Sequence, residues 1–294
     1  MRTLRRVALA AAAFLIASFS LATAAGAAPA MWVVRSPHAE IYLFGTLHAL
    51  SPNTRWRTPL YDAVYAKART LWFETDIADA KTAEIQNLVA KYGVDPDRTL
   101  SEKLAAPDVT ALSRQTDIAR IEHLRPWAAA LMLSMQPVLA RGGEVTAGVD
   151  EAVSRQAMAA PDKRVKYFES LKDQALIFAD LPEASELRYL SDVIRDRSRP
   201  RRAITGQEPL QQAWLDGDLA RLGPALVGEM KTRNPALYDA LLKRRNEAWA
   251  DTLAKELAIG DKVELVNVGA LHMVGDDGLP ALLAARGFDV RRVQ

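Results

Sequence analysis

Apolar positions recur along this chain with two different periods, and the order of those periods sets out the architecture. Met31–Arg35 and Glu40–Phe44 are short, strand-like apolar runs separated by Ser36-Pro37-His38-Ala39, whose proline and polar residues predict a turn. Leu60, Val64 and Ala68 repeat at helical spacing within Leu60–Arg69, and Thr70–Glu74 follows as a third strand rich in aromatic and apolar residues, with Asp76 just beyond it. From Ala78 to Met158 the pattern is helical. Its segments are a start at Ser101 ahead of Leu104, a helix over Arg125–Leu139 with Pro126 in its first turn and Gly142-Gly143 as its stop, and a helix over Val149–Ala159. Arg164–Phe168 reads as a fourth strand ending at Glu169. Helical patterns then cover Lys172–Arg195, Pro209–Met230 and Pro235–Leu257. Val263–Val268 is a fifth strand, Gly278–Arg286 a helix closed by Gly287, and Phe288–Val293 a last strand.

Strands therefore gather at both ends of the chain around a largely helical middle. Neither end holds a complete sheet, so strands from both must pair. The fold class predicted is α/β, with α+β segregation: a central sheet of N- and C-terminal strands, a large helical middle, and a site at the strand ends. Residues 28–294 form one domain in this reading.

The first 27 residues stand apart. Arg2, Arg5 and Arg6 precede an apolar stretch, Val7–Ala22, and Ala25-Gly26-Ala27 offers a small-residue cleavage site. The apolar stretch is short for a spanning helix, so a cleaved secretory signal is predicted over a retained anchor, and no later segment has the length to span a bilayer. The chain has no cysteine, which excludes a disulfide framework, thiolate ligands and a cysteine nucleophile. Export to a bacterial periplasm fits these features. Net charge is +2 with scattered basic residues, so nucleic acid is not an expected partner, and the arginines of 195–202 read as a solvated helix end.

The candidate chemistry sits where strands stop. Gly45-Thr46-Leu47-His48 and Gly269-Ala270-Leu271-His272 are two Gly-x-x-His phrases, each at the end of an apolar run, in a chain with four histidines. Glu74 and Glu169 end two further strands. Ligands of open α/β sheets bind beyond the carboxyl ends of strands, and glycine permits the close approach such a site needs. Two imidazoles and a carboxylate form a divalent-metal set, with the remaining carboxylate free to act as a base. Each residue also has a plainer reading. Glu74 is equally a surface acid or a helix-cap partner, and Glu169 an acid favoured by a following helical turn. Arg245, in Lys243-Arg244-Arg245-Asn246-Glu247, has the spacing of a solvated helical face, although it could hold a carboxylate or an oxyanion. His38 and His123 lack partners at ligand spacing. No Gly-x-Ser-x-Gly elbow, His-Glu-x-x-His helix, phosphate loop or dinucleotide fingerprint is present.

Together, Tyr42-Leu-Phe-Gly-Thr-Leu-His48, Phe73-Glu74, Gly148-Val-Asp150, Tyr167-Phe-Glu169 with Gln174, Arg245-Asn246 with Trp249, and Val268-Gly-Ala-Leu-His-Met-Val-Gly-Asp-Asp-Gly278 resemble the TraB/PrgY/GumN family. That family looks related to the Tiki metalloproteases and, more distantly, to erythromycin-esterase and ChaN-like proteins. The resemblance runs from Trp32 to Val293 and implies an α/β architecture with its site at one edge of a sheet. It implies a site made of the two Gly-x-x-His phrases, a glutamate and an arginine, here His48, His272, Glu74 and Arg245. In the reading that follows, His48, His272 and Glu74 are the expected metal ligands, Glu74 and Arg245 the expected catalytic groups, and Gly45, Glu169, Gly269 and Asn246 candidate lining residues. The resemblance thus raises Arg245 above its plainer reading. The expected function is an exported hydrolase of peptides or other small substrates, dependent on a divalent ion such as Mn²⁺, Co²⁺ or Zn²⁺. Family members are linked to pheromone shutdown, polysaccharide loci and proteolysis, so a protein that only sequesters a peptide, a polysaccharide fragment or a haem-like ligand is the alternative. The sequence sets no oligomeric state.

Overall fold

The computed structural model describes residues 28–76, 81–140, 142–144, 146–198, 207–259 and 262–294. The predicted signal segment, residues 1–27, lies outside them, as do the start of the helical middle at 77–80 and the arginines of 199–202.

Six strands form one mixed sheet: β1 (Met31–Arg35), β2 (Ala39–Thr46), β3 (Thr70–Phe73), β4 (Arg164–Tyr167), β5 (Lys262–Gly269) and β6 (Asp289–Arg292), in the order β4-β3-β5-β2-β1-β6. β4, β3, β5 and β2 run parallel, while β1 pairs antiparallel with both β2 and β6. N- and C-terminal strands therefore interleave, as their incomplete halves required, and the fold is α/β. The central pairing joins β2 to β5 over eight positions, from Ala39 opposite Lys262 to Thr46 opposite Gly269.

Strands buried on both faces read as near-continuous apolar runs rather than as alternation. Phe44, Leu71, Phe73 and Leu265 face one core with Tyr61, Trp56, Trp214 and Val153, beneath the helices Pro59–Lys67 and Val149–Met158. Leu43, Trp72, Val266 and Val268 face the other, with Trp249, Leu253 and Leu283 from the helices Arg244–Ile259 and Leu279–Ala285. The helical middle has its own cluster, built from Leu100, Leu112, Leu133 and Ile194. Among the described residues, no helix is long and apolar enough to cross a membrane.

Three helical expectations are corrected. The pattern over Lys172–Arg195 divides into Leu171–Ala179 and Glu183–Ser198. Pro182 lacks an N–H and disfavours helical geometry in the residue before it, so it ends one helix and its carbonyl starts the next by accepting from Ser185 and Glu186. Pro209–Met230 is likewise broken: a helix over Gln207–Leu215 stops at Gly217, whose φ is +64°, and a π-helical turn, Gly223–Gly228, follows a short helix. The helix near Ser101 is capped instead by Thr99, which forms a reciprocal capping box with Glu102. Over Pro235–Leu257 the chain stays helical but widens to a π turn at Asp239–Lys243.

Candidate functional site

The two Gly-x-x-His phrases end neighbouring parallel strands. Because Gly45 pairs with Val268 and Thr46 with Gly269, the chain leaves the sheet at the same level twice. Leu47-His48 continues from β2, and the 3₁₀ turn Ala270–Met273 carries His272 from β5. Beside them, Glu74 directly follows β3, and Glu169 follows β4 with its N–H donating to the Glu74 carbonyl at 2.9 Å. Four strand ends thus converge on one point.

Each imidazole is held from behind through Nδ1. His48 Nδ1 lies 2.8 Å from Asp150 Oδ2, and the other oxygen of Asp150 accepts from the Thr46 hydroxyl at 2.6 Å. Asp150 reaches this position because the helix Val149–Met158 packs on β3, β4 and β5 and is tied to the exit of β2, the Val149 N–H donating to the Leu47 carbonyl. His272 Nδ1 lies 2.5 Å from Asn246 Oδ1. Asn246 donates its amide N–H to the Asp277 carbonyl at 2.7 Å, so its oxygen must face the ring. Both networks assign the proton to Nδ1 and leave Nε2 facing Glu74. Glu74 Oε1 is 3.8 Å from His48 Nε2 and 3.6 Å from His272 Nε2, and it accepts the Gly269 N–H at 2.8 Å.

Arg245 completes the group from the inner side. Its Nε and Nη2 donate to the two oxygens of Glu169 at 2.8 and 2.9 Å, and Nη2 also donates to Glu74 Oε2 at 2.7 Å. Nη1 donates to the Leu241 carbonyl and stands 3.3 Å from His272 Nε2. All five guanidinium hydrogens are engaged. The Trp249 ring lies 4.6 Å from the guanidinium carbon and 4.4 Å from the His272 ring, and its N–H donates to Glu169. Gln174 Nε2 donates to the same Oε2 of Glu74 at 3.4 Å.

These contacts separate the two histidines electrically. The Asp150 charge, with the hydrogen bond to it, raises the His48 pKa to about 9 against the partial desolvation of the ring. The His48 side chain is 58% exposed, so water screens part of that attraction. Burial lowers the His272 pKa to about 3, with Arg245 adding to the effect and Glu74 opposing it. Burial would also raise Glu74, but the nearby charges of Arg245 and His48 and the Gly269 N–H outweigh it, so the carboxyl stays well below its ordinary range. The same carboxylates raise Arg245 despite its own burial.

A cleft of about 280 Å³ opens above this group, with Thr46, His48, Glu74, Arg245, Gly269 and His272 at its polar end. The two glycines differ. A Cβ on Gly269 would fall 3.1 Å from Glu74 Oε1 and 3.2 Å from His48 Nε2, inside the space these atoms enclose. A Cβ on Gly45 would fall 2.9 Å from the Ala270 Cα, so Gly45 lets the two strand exits pack together and stands behind the cleft rather than in its lining. Its carbonyl accepts from the Trp214 N–H. Asn246 and Glu169 also act from behind the lining, through His272 and Arg245. His38 and His123 are exposed and lie away from the cleft. Asp150, Thr46 and Trp249 complete the group without having been singled out as site residues by pattern; the signal that reaches Asp150 is the Gly148-Val-Asp150 phrase.

The sequence profile of the TraB/PrgY/gumN family matches residues 30–292. The chain belongs to that family. It is also similar to the uncharacterized protein YbaP of Escherichia coli strain K12, at 25% identity over 260 residues that cover 87% of this chain and 92% of YbaP. YbaP of Shigella flexneri matches with the same identity and coverage. No solved structure matches the chain.

Among the described residues of this TraB/PrgY/gumN protein, no three His, Asp or Glu side chains are drawn into a closed ligand cluster. The donor chemistry nonetheless suits a divalent ion. Ligands about 2.1 Å from a tetrahedral ion stand roughly 3.4 Å apart, close to the separations of Glu74 Oε1 from each Nε2. Histidines that bind metal commonly donate their other N–H to an oxygen, as both do here. Gly269 leaves the intervening space clear of side chain.

Proposed function

We propose that the chain is an exported, divalent-metal-dependent hydrolase acting on peptide bonds. The observation that carries the reading is the pair of imidazoles, each fixed at Nδ1 by an oxygen and turned through Nε2 toward Glu74 on the floor of one cleft. His48, His272 and Glu74 would hold the ion, which supplies Lewis-acid polarisation of a carbonyl and makes water a stronger acid. The resemblance to the Tiki metalloproteases supports peptide bonds as the target.

The protein groups take distinct roles. Glu74, held ionised, is better suited to ligation than to taking a proton, because a low pKa makes a weak base. Arg245 spends its Nε and Nη2 hydrogens on Glu169 and Glu74, so its role is to keep Glu74 charged and both carboxylates in place; the Nη1 hydrogen that faces His272 Nε2 would be released if that nitrogen ligates an ion. His48 must give up its added proton to ligate, which favours activity at neutral to alkaline pH. Trp249 covers the inner side of His272 and keeps water from that face.

The test is elemental analysis of the purified protein together with peptide-cleavage assays. About one equivalent of Mn²⁺, Co²⁺ or Zn²⁺, lost together with cleavage in His48→Ala and His272→Ala, is expected. No metal after supplementation with all three sinks the reading. Export is tested separately by N-terminal sequencing, which should begin at residue 28.

One observation favours a second reading. Arg245 already satisfies Glu74 and faces the free nitrogen of His272, so the group is electrostatically complete without an ion. In that case the cleft sequesters a ligand without turnover. Ligand binding retained in both histidine variants, with no cleavage by the wild type at any pH, would select it.

A further inference from the structure

The cleft changes character sharply along its length. Among the described lining residues, charge is confined to the end formed by His48, Glu74 and Arg245. The rest is aliphatic: Leu47, Leu222, Leu226, Met230, Leu241 and Leu271 shape the walls, with no aromatic ring and no ionisable group. Most of these side chains are only half-buried, with Leu222 fully so. An aliphatic surface left facing water beside a polar centre is what a ligand with an apolar group would cover.

The walls are also built unusually. Leu226 comes from the π turn Gly223–Gly228, and Leu241 from the π turn Asp239–Lys243. Such wide turns occur frequently at functional sites. Behind them, Val227, Tyr238 and Leu242 form a buried brace against which Met230, Leu241 and Leu271 pack. The Tyr238 hydroxyl donates to Asp277, whose backbone carbonyl holds Asn246 and, through it, His272. The second π turn also ends next to Arg245, whose Nη1 donates to the Leu241 carbonyl. The apolar wall and the polar centre are therefore one mechanical unit.

We propose that this funnel is the specificity pocket of the site and receives a single neutral aliphatic side chain, of the leucine or methionine class, adjacent to the amide presented to His48, Glu74 and His272. The word amide rests on the hydrolase reading; the funnel does not. A charged side chain would find no partner there, because Arg245 and Glu74 already neutralise one another, and burying an unpaired charge is strongly unfavourable. At about 280 Å³ the space lies just below the usual range of ligand sites, which suits one side chain with its amide rather than a polymer segment.

The test measures binding of N-acetyl-leucinamide, N-acetyl-glycinamide, the α-amide of N-acetyl-aspartic acid with its side-chain carboxylate free, and octanamide to the purified protein by NMR titration. Leucinamide should bind at least tenfold more tightly than glycinamide, the aspartic acid amide should be rejected, and octanamide should not exceed leucinamide. Leu226→Trp, which fills the funnel, should abolish the preference at unchanged Tm. Should that variant unfold, Leu226→Ala supplies the second measure, since a wider funnel should shift preference toward N-acetyl-phenylalaninamide. Equal affinity for leucinamide and glycinamide, tighter binding of octanamide, or an unaltered preference in a folded Leu226 variant overturns the proposal. Leucinamide preference with no peptide cleavage under any metal condition sinks the hydrolase reading and leaves the funnel standing.

Discussion

Asp150 Oδ2 lies 2.8 Å from Nδ1 of His48, joining the first turn of one helix to the loop that leaves β2. The contact fixes the ring's tautomer and raises its pKa to about 9. Asp150→Asn keeps an oxygen within reach and removes the charge. In the metal-free protein the His48 pKa should fall toward its ordinary value of about 6.5, measured by NMR titration of the ring protons. The stability consequence has a definite sign. A raised folded-state pKa stabilises the fold fully below about pH 6.5, and that contribution disappears as pH rises through about 9. Urea denaturation of the wild type and the variant should therefore differ most near pH 6 and converge by pH 9. If metal is held as proposed, its affinity should drop roughly 10- to 100-fold in the variant.

Arg245 binds two buried carboxylates at once. Arg245→Ala leaves Glu74 and Glu169 uncompensated and should destabilise the protein by about 3–5 kcal/mol at pH 7, read from chemical denaturation. Because Glu74 is held below its ordinary pKa, the stabilisation is present above about pH 4.5 and is lost as pH falls, so the gap to wild type should narrow in acid. Arg245→Lys should recover only part of the loss, since an ammonium cannot fork onto Glu169 while also holding Glu74. Equal stability of Arg245→Ala and wild type at pH 7 would remove Arg245 from its positioning role.

His272 should remain neutral across the physiological range. Burial lowers its pKa to about 3, so ¹⁵N chemical shifts should report a neutral ring with its proton on Nδ1 from pH 5 to pH 8. Asn246→Ala removes the acceptor of that proton and leaves a buried donor unpaired, at a cost of about 1–3 kcal/mol in urea denaturation. A ring that titrates near pH 6.5 in the wild type would contradict the assignment.

The strand ends were legible because two signals coincide there: apolar runs that stop abruptly, and the repeated glycine and histidine. Their partners were reached only through the family resemblance and not through local pattern. Asp150 stands beside Glu151 in the first turn of a helix, where any helix favours acids, so local pattern gives it no distinction. Asn246 and Arg245 lie within a charged run whose spacing equally suits a solvated face. Only the docking of the helix Arg244–Ile259 against the sheet, through Trp249, Leu253 and Leu257, turns them inward. Helix breaks were lost for a related reason. The apolar period continues across Pro182 and Asp216-Gly217 while the backbone does not, so periodicity reports a buried face without reporting whether one helix or two supplies it. That strands from the two ends share one sheet could be inferred only because each half was incomplete; no local feature encodes the pairing of β2 with β5 or the register that places Thr46 opposite Gly269.

That register gives the two glycines of the repeated phrase opposite sensitivities. Gly269 has φ −48° and ψ 138°, a region open to any L-residue, so Gly269→Ala should fold with a Tm close to wild type. Its methyl group would nevertheless enter the space bounded by Glu74 Oε1 and His48 Nε2, and ligand or metal binding at the polar end should fall by at least tenfold. Gly45→Ala would press its methyl group against the Ala270 backbone, which cannot yield as a flexible side chain can, so it should lower stability by about 1–3 kcal/mol. Calorimetry and binding measured on both variants separate the effects. A folded Gly269→Ala with undiminished binding would mean that the space between His48, Glu74 and His272 is not where the ligand sits.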